Sequence, residues 1–161
     1  MIVPKEREVK KMKKMLCFDM DGTIANLYGV NGWLYDLQHE IPTPYEIAKP
    51  LWNMDKLRAV LLELSACGWE VRIISWLSKD SSEEYKNKVR TAKKEWLDKY
   101  NFPYEKLHFV AYGATKADSV RKYAETAILF DDNEKVRNGW HLGEAVNPTE
   151  IDIIKFLEAL L

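Results

Sequence analysis

Four short apolar runs constrain this chain more than any other feature: Met15–Phe18, Glu70–Ser75, Leu107–Val110 and Ala127–Phe130. Runs of this length, bounded by polar or turn-forming residues, read as buried strands. Amphipathic stretches separate them, and that alternation specifies βαβ units around a parallel sheet. The spacing predicts a helix over Asp55–Ala66, with Leu57, Val60, Leu61 and Leu64 on one face and Gly68 after its end. A longer helix is expected over Ser82–Tyr100, opened by a Ser81/Glu84 capping box and stopped by Asn101 and Pro103. Tyr85, Val89, Ala92 and Trp96 form its apolar stripe. Lys116–Ala124 reads as a helix capped by Thr115. A short helix near Glu134–Val136, a fifth strand at Glu144–Val146 and a closing helix over Thr149–Leu161 complete the pattern. In that last helix Ile151, Ile154, Leu157 and Leu160 are expected to face inward.

One stretch breaks the rhythm. From Ile24 to Asn53 the chain carries Gly29, Gly32, Pro42, Pro44 and Pro50 beside Tyr28, Trp33, Tyr35, Tyr45 and Trp52. A βα loop normally takes about 2–6 residues, and a structureless loop of about thirty is rare in a compact domain. The aromatics argue against disorder. The stretch reads as a small lid inserted after the first strand. The domain reading is therefore a basic N-terminal tail over residues 1–14 and one α/β domain over residues 15–161, with the lid at about 24–53. Met12 and Met15 both remain open as alternative starts.

Composition narrows the classes of function. The 161 residues are 47% hydrophobic, enough for one full core. A net charge of −1 supplies no overall field for nucleic acid, which is disfavoured as a partner without being excluded, or for an anionic membrane. No apolar run is long enough to span a bilayer. Cys17 and Cys67 form no CxxC pair, so a reduced, cytoplasmic protein is expected. His39, His108 and His141 are scattered and form no metal set.

In a parallel α/β sheet, ligands bind at the carboxyl ends of the strands. Asp19 and Asp21 follow the first run, Ser75 ends the second, Lys116 follows the loop after the third, and Asp131 and Asp132 follow the fourth. Carboxylates gathered at one edge repel one another unless a cation neutralises them, and hard oxygen donors suit Mg²⁺. A bound Mg²⁺ would also screen an anionic nucleophile from an anionic phosphate. Loop amides near Asp21 and Gly22, the Ser75 hydroxyl and the Lys116 ammonium are then expected to hold the remaining phosphate oxygens. Two aspartates one residue apart can divide the work of nucleophile and proton donor.

The run Asp19-Met20-Asp21-Gly22-Thr23, followed in order by Ser75, Lys116 and Asp131-Asp132, resembles the four motifs of the haloacid dehalogenase (HAD) superfamily. The resemblance implies a Rossmann-like three-layer parallel sheet and a Mg²⁺-dependent phosphatase. It implies Asp19 as nucleophile and Asp21 as acid/base and backbone ligand of the metal. Asp132 would be the direct metal ligand, with Asp131 holding a bound water or orienting the loop, and Ser75 and Lys116 would steady the phosphoryl group. Gly22 and Thr23 would line the phosphate site, and Trp33, Tyr35, Trp52 and Trp76 are the candidates to stack on substrate. A narrower similarity, to the 5′(3′)-deoxyribonucleotidases, rests on Lys94-Glu95-Trp96-Leu97, Lys116, Ile128–Asp132 and Asn138-Gly139-Trp140. It implies a small phosphorylated substrate of nucleoside monophosphate type. Two alternatives stay open: a phosphorylated polynucleotide end or protein side chain as substrate, and a HAD-like binding domain without turnover. Oligomeric state is not legible.

Overall fold

A computed structural model describes residues 12–161. The expected basic tail lies, through residue 11, outside the described residues; Lys13 and Lys14, at its end, open the first strand instead. In chain order the elements are β1 (Lys13–Phe18), β2 (Ala25–Asn26), α1 (Trp33–Gln38), α2 (Thr43–Ile47), β3 (Lys49–Pro50), α3 (Met54–Ala66), β4 (Trp69–Trp76), α4 (Glu83–Lys99), β5 (Lys106–Val110), β6 (Ala124–Phe130), α5 (Glu134–Asn138), β7 (Ala145–Val146) and α6 (Ile153–Glu158). Among the described residues no helix is long and apolar enough to cross a membrane.

Five strands form one parallel sheet in the order β5-β4-β1-β6-β7. From β1 the chain winds outward to β4 and β5, then returns to β6 and β7 on the other side. That reversal creates a crevice beside the carboxyl end of β1. The period-2 geometry of a strand sends alternate residues to opposite faces. Leu16 and Phe18 join the core that packs under α3, α4 and α6, while Met15 and Cys17 join the core on the other face with Val136 and Trp140.

The lid is a two-stranded antiparallel ribbon, β2 with β3, enclosing α1 and α2. Two indoles pin its ends. Trp52 Nε1 donates to the Thr23 carbonyl at 2.8 Å, and Trp96 Nε1 donates to the Ala48 carbonyl at 2.7 Å. Leu27 and Tyr45 pack on Leu77, Tyr85, Val89 and Ala92, so the lid rests on α4.

The structure corrects three helix boundaries. Ser82, not Ser81, caps α4: its Oγ accepts from Tyr85 N at 3.1 Å. No capping box forms with Glu84. The carboxylate reaching the cap comes from the lid, where Glu40 accepts from Ser82 N at 3.1 Å and from Ser82 Oγ at 2.8 Å. Lys116–Ala124 is not a helix. A 3₁₀ turn covers Lys116–Ser119 without a Thr115 side-chain cap, and Ala124 already pairs with Lys13 at the start of β6. The closing helix is shorter than expected. Asp152 caps it by accepting from Ile154 N and Lys155 N, while Thr149 is held outside it by Asn147. Ile153 and Leu157 are buried there; Ile151, Ile154 and Leu160 lie at the edge of the core.

Candidate active site

Strand register assembles the acidic cluster. Phe18 pairs with Phe130, so the next residue of each strand, Asp19 and Asp131, emerge side by side at the crevice. The backbone continues the pairing, with Asp19 N donating to the Phe130 carbonyl at 2.9 Å. One carboxylate oxygen from each of Asp19, Asp131 and Asp132 lies within 4.8 Å of the others. Gly22 makes room for this. Its φ of +80° is costly for an L side chain, and a Cβ there would collide with the Asp132 carboxylate and the Tyr28 ring.

Each carboxylate has a different environment. Asp19 Oδ1 accepts from Lys116 Nζ at 2.9 Å, and Asp19 Oδ2 accepts from the buried Thr23 hydroxyl at 3.1 Å. Asp131 accepts one hydrogen bond on each oxygen: Oδ2 from Lys116 Nζ at 2.8 Å and Oδ1 from Asn133 N at 2.9 Å. Its carbonyl also accepts from Arg137 at 3.0 Å, so Asp131 orders the loop entering α5. Burial and the nearby Asp19 charge raise the carboxyl pKa values of both Asp131 and Asp132. Burial lowers the Lys116 pKa, but the Asp19 and Asp131 carboxylates more than offset it, so the ammonium is held charged.

The Asp21 carboxylate lies outside this cluster. It pairs at 3.0 Å with Lys93 Nζ, whose side chain is only 1% exposed. Lys93 reaches in from α4 and also donates to Ser75 Oγ at 2.7 Å and to the Trp76 carbonyl at 3.0 Å. Its ammonium lies 5.0 Å from the Tyr45 ring centroid, a cation–π distance. Burial raises the Asp21 pKa; the neighbouring Lys93 opposes the rise without cancelling it.

Above these groups opens a cavity of about 900 Å³. Asp19, Asp21, Asp131 and Asp132 lie at its acidic end, and Tyr28, Trp33, Tyr45, Trp76 and Tyr112 supply aromatic wall. Tyr28 and Trp33 meet edge to face at 4.9 Å.

The structure matches that of D,D-heptose 1,7-bisphosphate phosphatase from Burkholderia thailandensis, with a TM-score of 0.53 over 92% of this chain and 98% of that one, at 11% sequence identity. The fold is HAD-like. No protein-family model and no curated protein matches the sequence.

On this HAD-like frame, Asp19, Asp21, Lys116, Asp131 and Asp132 come together, with Gly22 and Thr23 holding the loop. Ser75 is placed differently from expectation. It is fully buried, does not border the cavity, and uses its hydroxyl to accept from Lys93. Among the stacking candidates, Trp33 and Trp76 border the cavity; Tyr35 and Trp52 do not. Tyr35 is 60% exposed and stacks on His39, and the Trp52 indole is committed to the Thr23 carbonyl at the end of the lid. Tyr28, Tyr45 and Tyr112 occupy the wall instead. Lys93 was missed because a helix lysine reads as solvated. A signal existed: Tyr85, Val89, Lys93 and Leu97 form one i, i+4 row, so the lysine sits inside the apolar stripe.

The acidic cluster passes the test for a divalent cation. Three converging carboxylates, two of which (Asp131 and Asp132) have their pKa raised by burial and the neighbouring Asp19 charge, are the hard-oxygen donor set that Mg²⁺ prefers.

Proposed function

We propose that this chain is a Mg²⁺-dependent phosphomonoester hydrolase working through a phosphorylated Asp19. The observation that carries the reading is the position of the Asp19 carboxylate. It sits at the cavity floor, oriented by Lys116 and Thr23, inside a three-carboxylate cluster.

Asp19, Asp131 and Asp132 would hold the metal. When bound, it neutralises phosphoryl charge and admits an anionic nucleophile. An Asp19 oxygen forms the new bond to phosphorus as the bond to the leaving oxygen breaks. Asp21, whose pKa burial raises, gives its proton to that leaving oxygen. Asp21 then takes a proton from water, which attacks phosphorus, frees phosphate and restores the Asp19 carboxylate. Lys116 keeps Asp19 in place, and Lys93 keeps Asp21 in place.

A nucleoside monophosphate is the substrate class we favour, because an aromatic wall on a cavity of this size suits a planar base. Asp19→Asn tests the mechanism. It should abolish Mg²⁺-dependent phosphate release from p-nitrophenyl phosphate and deoxynucleoside monophosphates while preserving the circular dichroism spectrum. Full activity in that variant would eliminate the covalent route.

A further inference from the structure

A smaller cavity of about 320 Å³ adjoins the main one, and Trp76, Tyr112, Lys116 and Lys135 border both. No lid residue borders this annex. It lies between the segment leading into the 3₁₀ turn at Lys116 and the helix α5. Its chemistry differs from that of the main cavity. Among the described residues no carboxylate borders it, whereas Asp19, Asp21, Asp131 and Asp132 all border the larger space. Trp76 and Trp140 have already satisfied their indole N–H groups, on the Ala114 and Ala127 carbonyls at 2.9 Å each. What they offer a ligand is ring surface. Lys116 is tied to Asp19 and Asp131. Lys135 is exposed; its carbonyl accepts from Gly139 N, but its ammonium has no ion-pair or hydrogen-bond partner among the described residues.

We propose that the annex is a second recognition subsite of the active site, taking a planar ring that carries an anionic group and is joined to the phosphomonoester held over Asp19. The inference rests on the phosphatase reading and extends it to the rest of the substrate. Aromatic walls favour a planar group, an unpaired ammonium favours an anion, and the absence of carboxylates removes the repulsion that the main cavity would impose. The volume is at the lower end of ligand pockets, about 300–1,000 Å³, which suits one ring rather than a whole second ligand. A phosphate ester with a single ring leaves the annex empty, whereas a 5′-phosphorylated dinucleotide presents both a second base and a linking phosphate.

The test is steady-state kinetics and calorimetric binding with deoxythymidine 5′-monophosphate, a 5′-phosphorylated dinucleotide and a sugar bisphosphate. Wild-type protein should favour the dinucleotide over the monophosphate by about tenfold in kcat/KM, mainly through KM, the equivalent of about 1.4 kcal/mol. Thr115→Trp, at an exposed position bordering the annex, should erase that preference and leave the monophosphate constants unchanged. Lys135→Gln should reduce the preference to about threefold or less. Equal kcat/KM for the two substrates in wild type, or a preference that survives both substitutions, overturns the proposal. A sugar bisphosphate gaining as much as the dinucleotide overturns its planar-ring half. If wild-type protein hydrolyses none of the three, the phosphatase reading fails by itself. Binding then decides the annex: a dinucleotide Kd that Thr115→Trp weakens supports it, and an unchanged Kd overturns it.

Discussion

Lys93 and Asp21 form an ion pair at 3.0 Å between the middle of α4 and the loop after β1. Because Lys93 also holds the Ser75 hydroxyl and the Trp76 carbonyl, one buried ammonium ties the proposed acid/base to the end of β4. Lys93→Met should lower kcat by about 10²–10⁴-fold, the usual range for disabling a general acid, with a smaller effect on KM. The stability cost should be about 1–3 kcal/mol. That is below the figure for a fully enclosed pair, because Asp21 borders the open cavity. Rate measurements and urea denaturation together check both numbers.

Gly22→Ala should damage the acidic cluster beyond the ordinary cost of backbone strain. A residue with φ near +80° costs about 1–3 kcal/mol in strain, and here the added Cβ also drives into the Asp132 carboxylate. Activity should fall by about 10²-fold, the scale associated with misplacing a reacting group by about 1 Å. Gly68→Ala is the control. Its φ of +98° imposes similar strain, but a Cβ there meets nothing within 4 Å among the described residues, so activity should survive.

His108 should make the fold sensitive to mild acid. Its Nε2 lies 3.2 Å from Arg72 Nη1. A guanidinium can only donate, so this nitrogen accepts and the ring is neutral. Burial and then the Arg72 charge hold its pKa below the ordinary 6.5. The unfolded chain therefore binds more protons over this range. The stabilisation is complete above about pH 6.5 and is lost as pH falls toward the lower folded value. Urea midpoints between pH 5 and pH 8 should drop on the acid side in wild type, and less so in His108→Gln.

The two thiols should react in sequence. Burial pushes the Cys17 pKa up to about 12, whereas Cys67 lies exposed at the end of α3. A chromogenic disulfide reagent at pH 8 should label one thiol rapidly in the native protein and the second only on unfolding.

Strand positions were legible because apolar runs and their polar ends are local signals. Met15–Phe18 and the acid run after it placed the first strand and the candidate-site edge together; that this strand is the centre of the sheet came only from the structure. The lid was legible as an interruption between Ile24 and Asn53, but its internal arrangement was not. Its ribbon, two short helices and contact with α4 depend on Trp52, Trp96 and Glu40 finding partners far along the chain. The Ser81 cap failed for the same reason, since a lid carboxylate outside the local pattern engages Ser82.

Asp19 shows where the division falls. The sequence alone determined that a carboxylate would stand at the end of the first strand, with Asp21, Asp131 and Asp132 near the same edge, because strand periodicity and polar run ends are written in neighbouring residues. Only the tertiary structure decided which cation serves which acid. Lys116 goes to Asp19 and Asp131, and Lys93 to Asp21. Ion pairing depends on distances of a few ångströms between groups far apart in the chain, and those distances exist only once α4 and the loop bearing Lys116 have packed against the sheet.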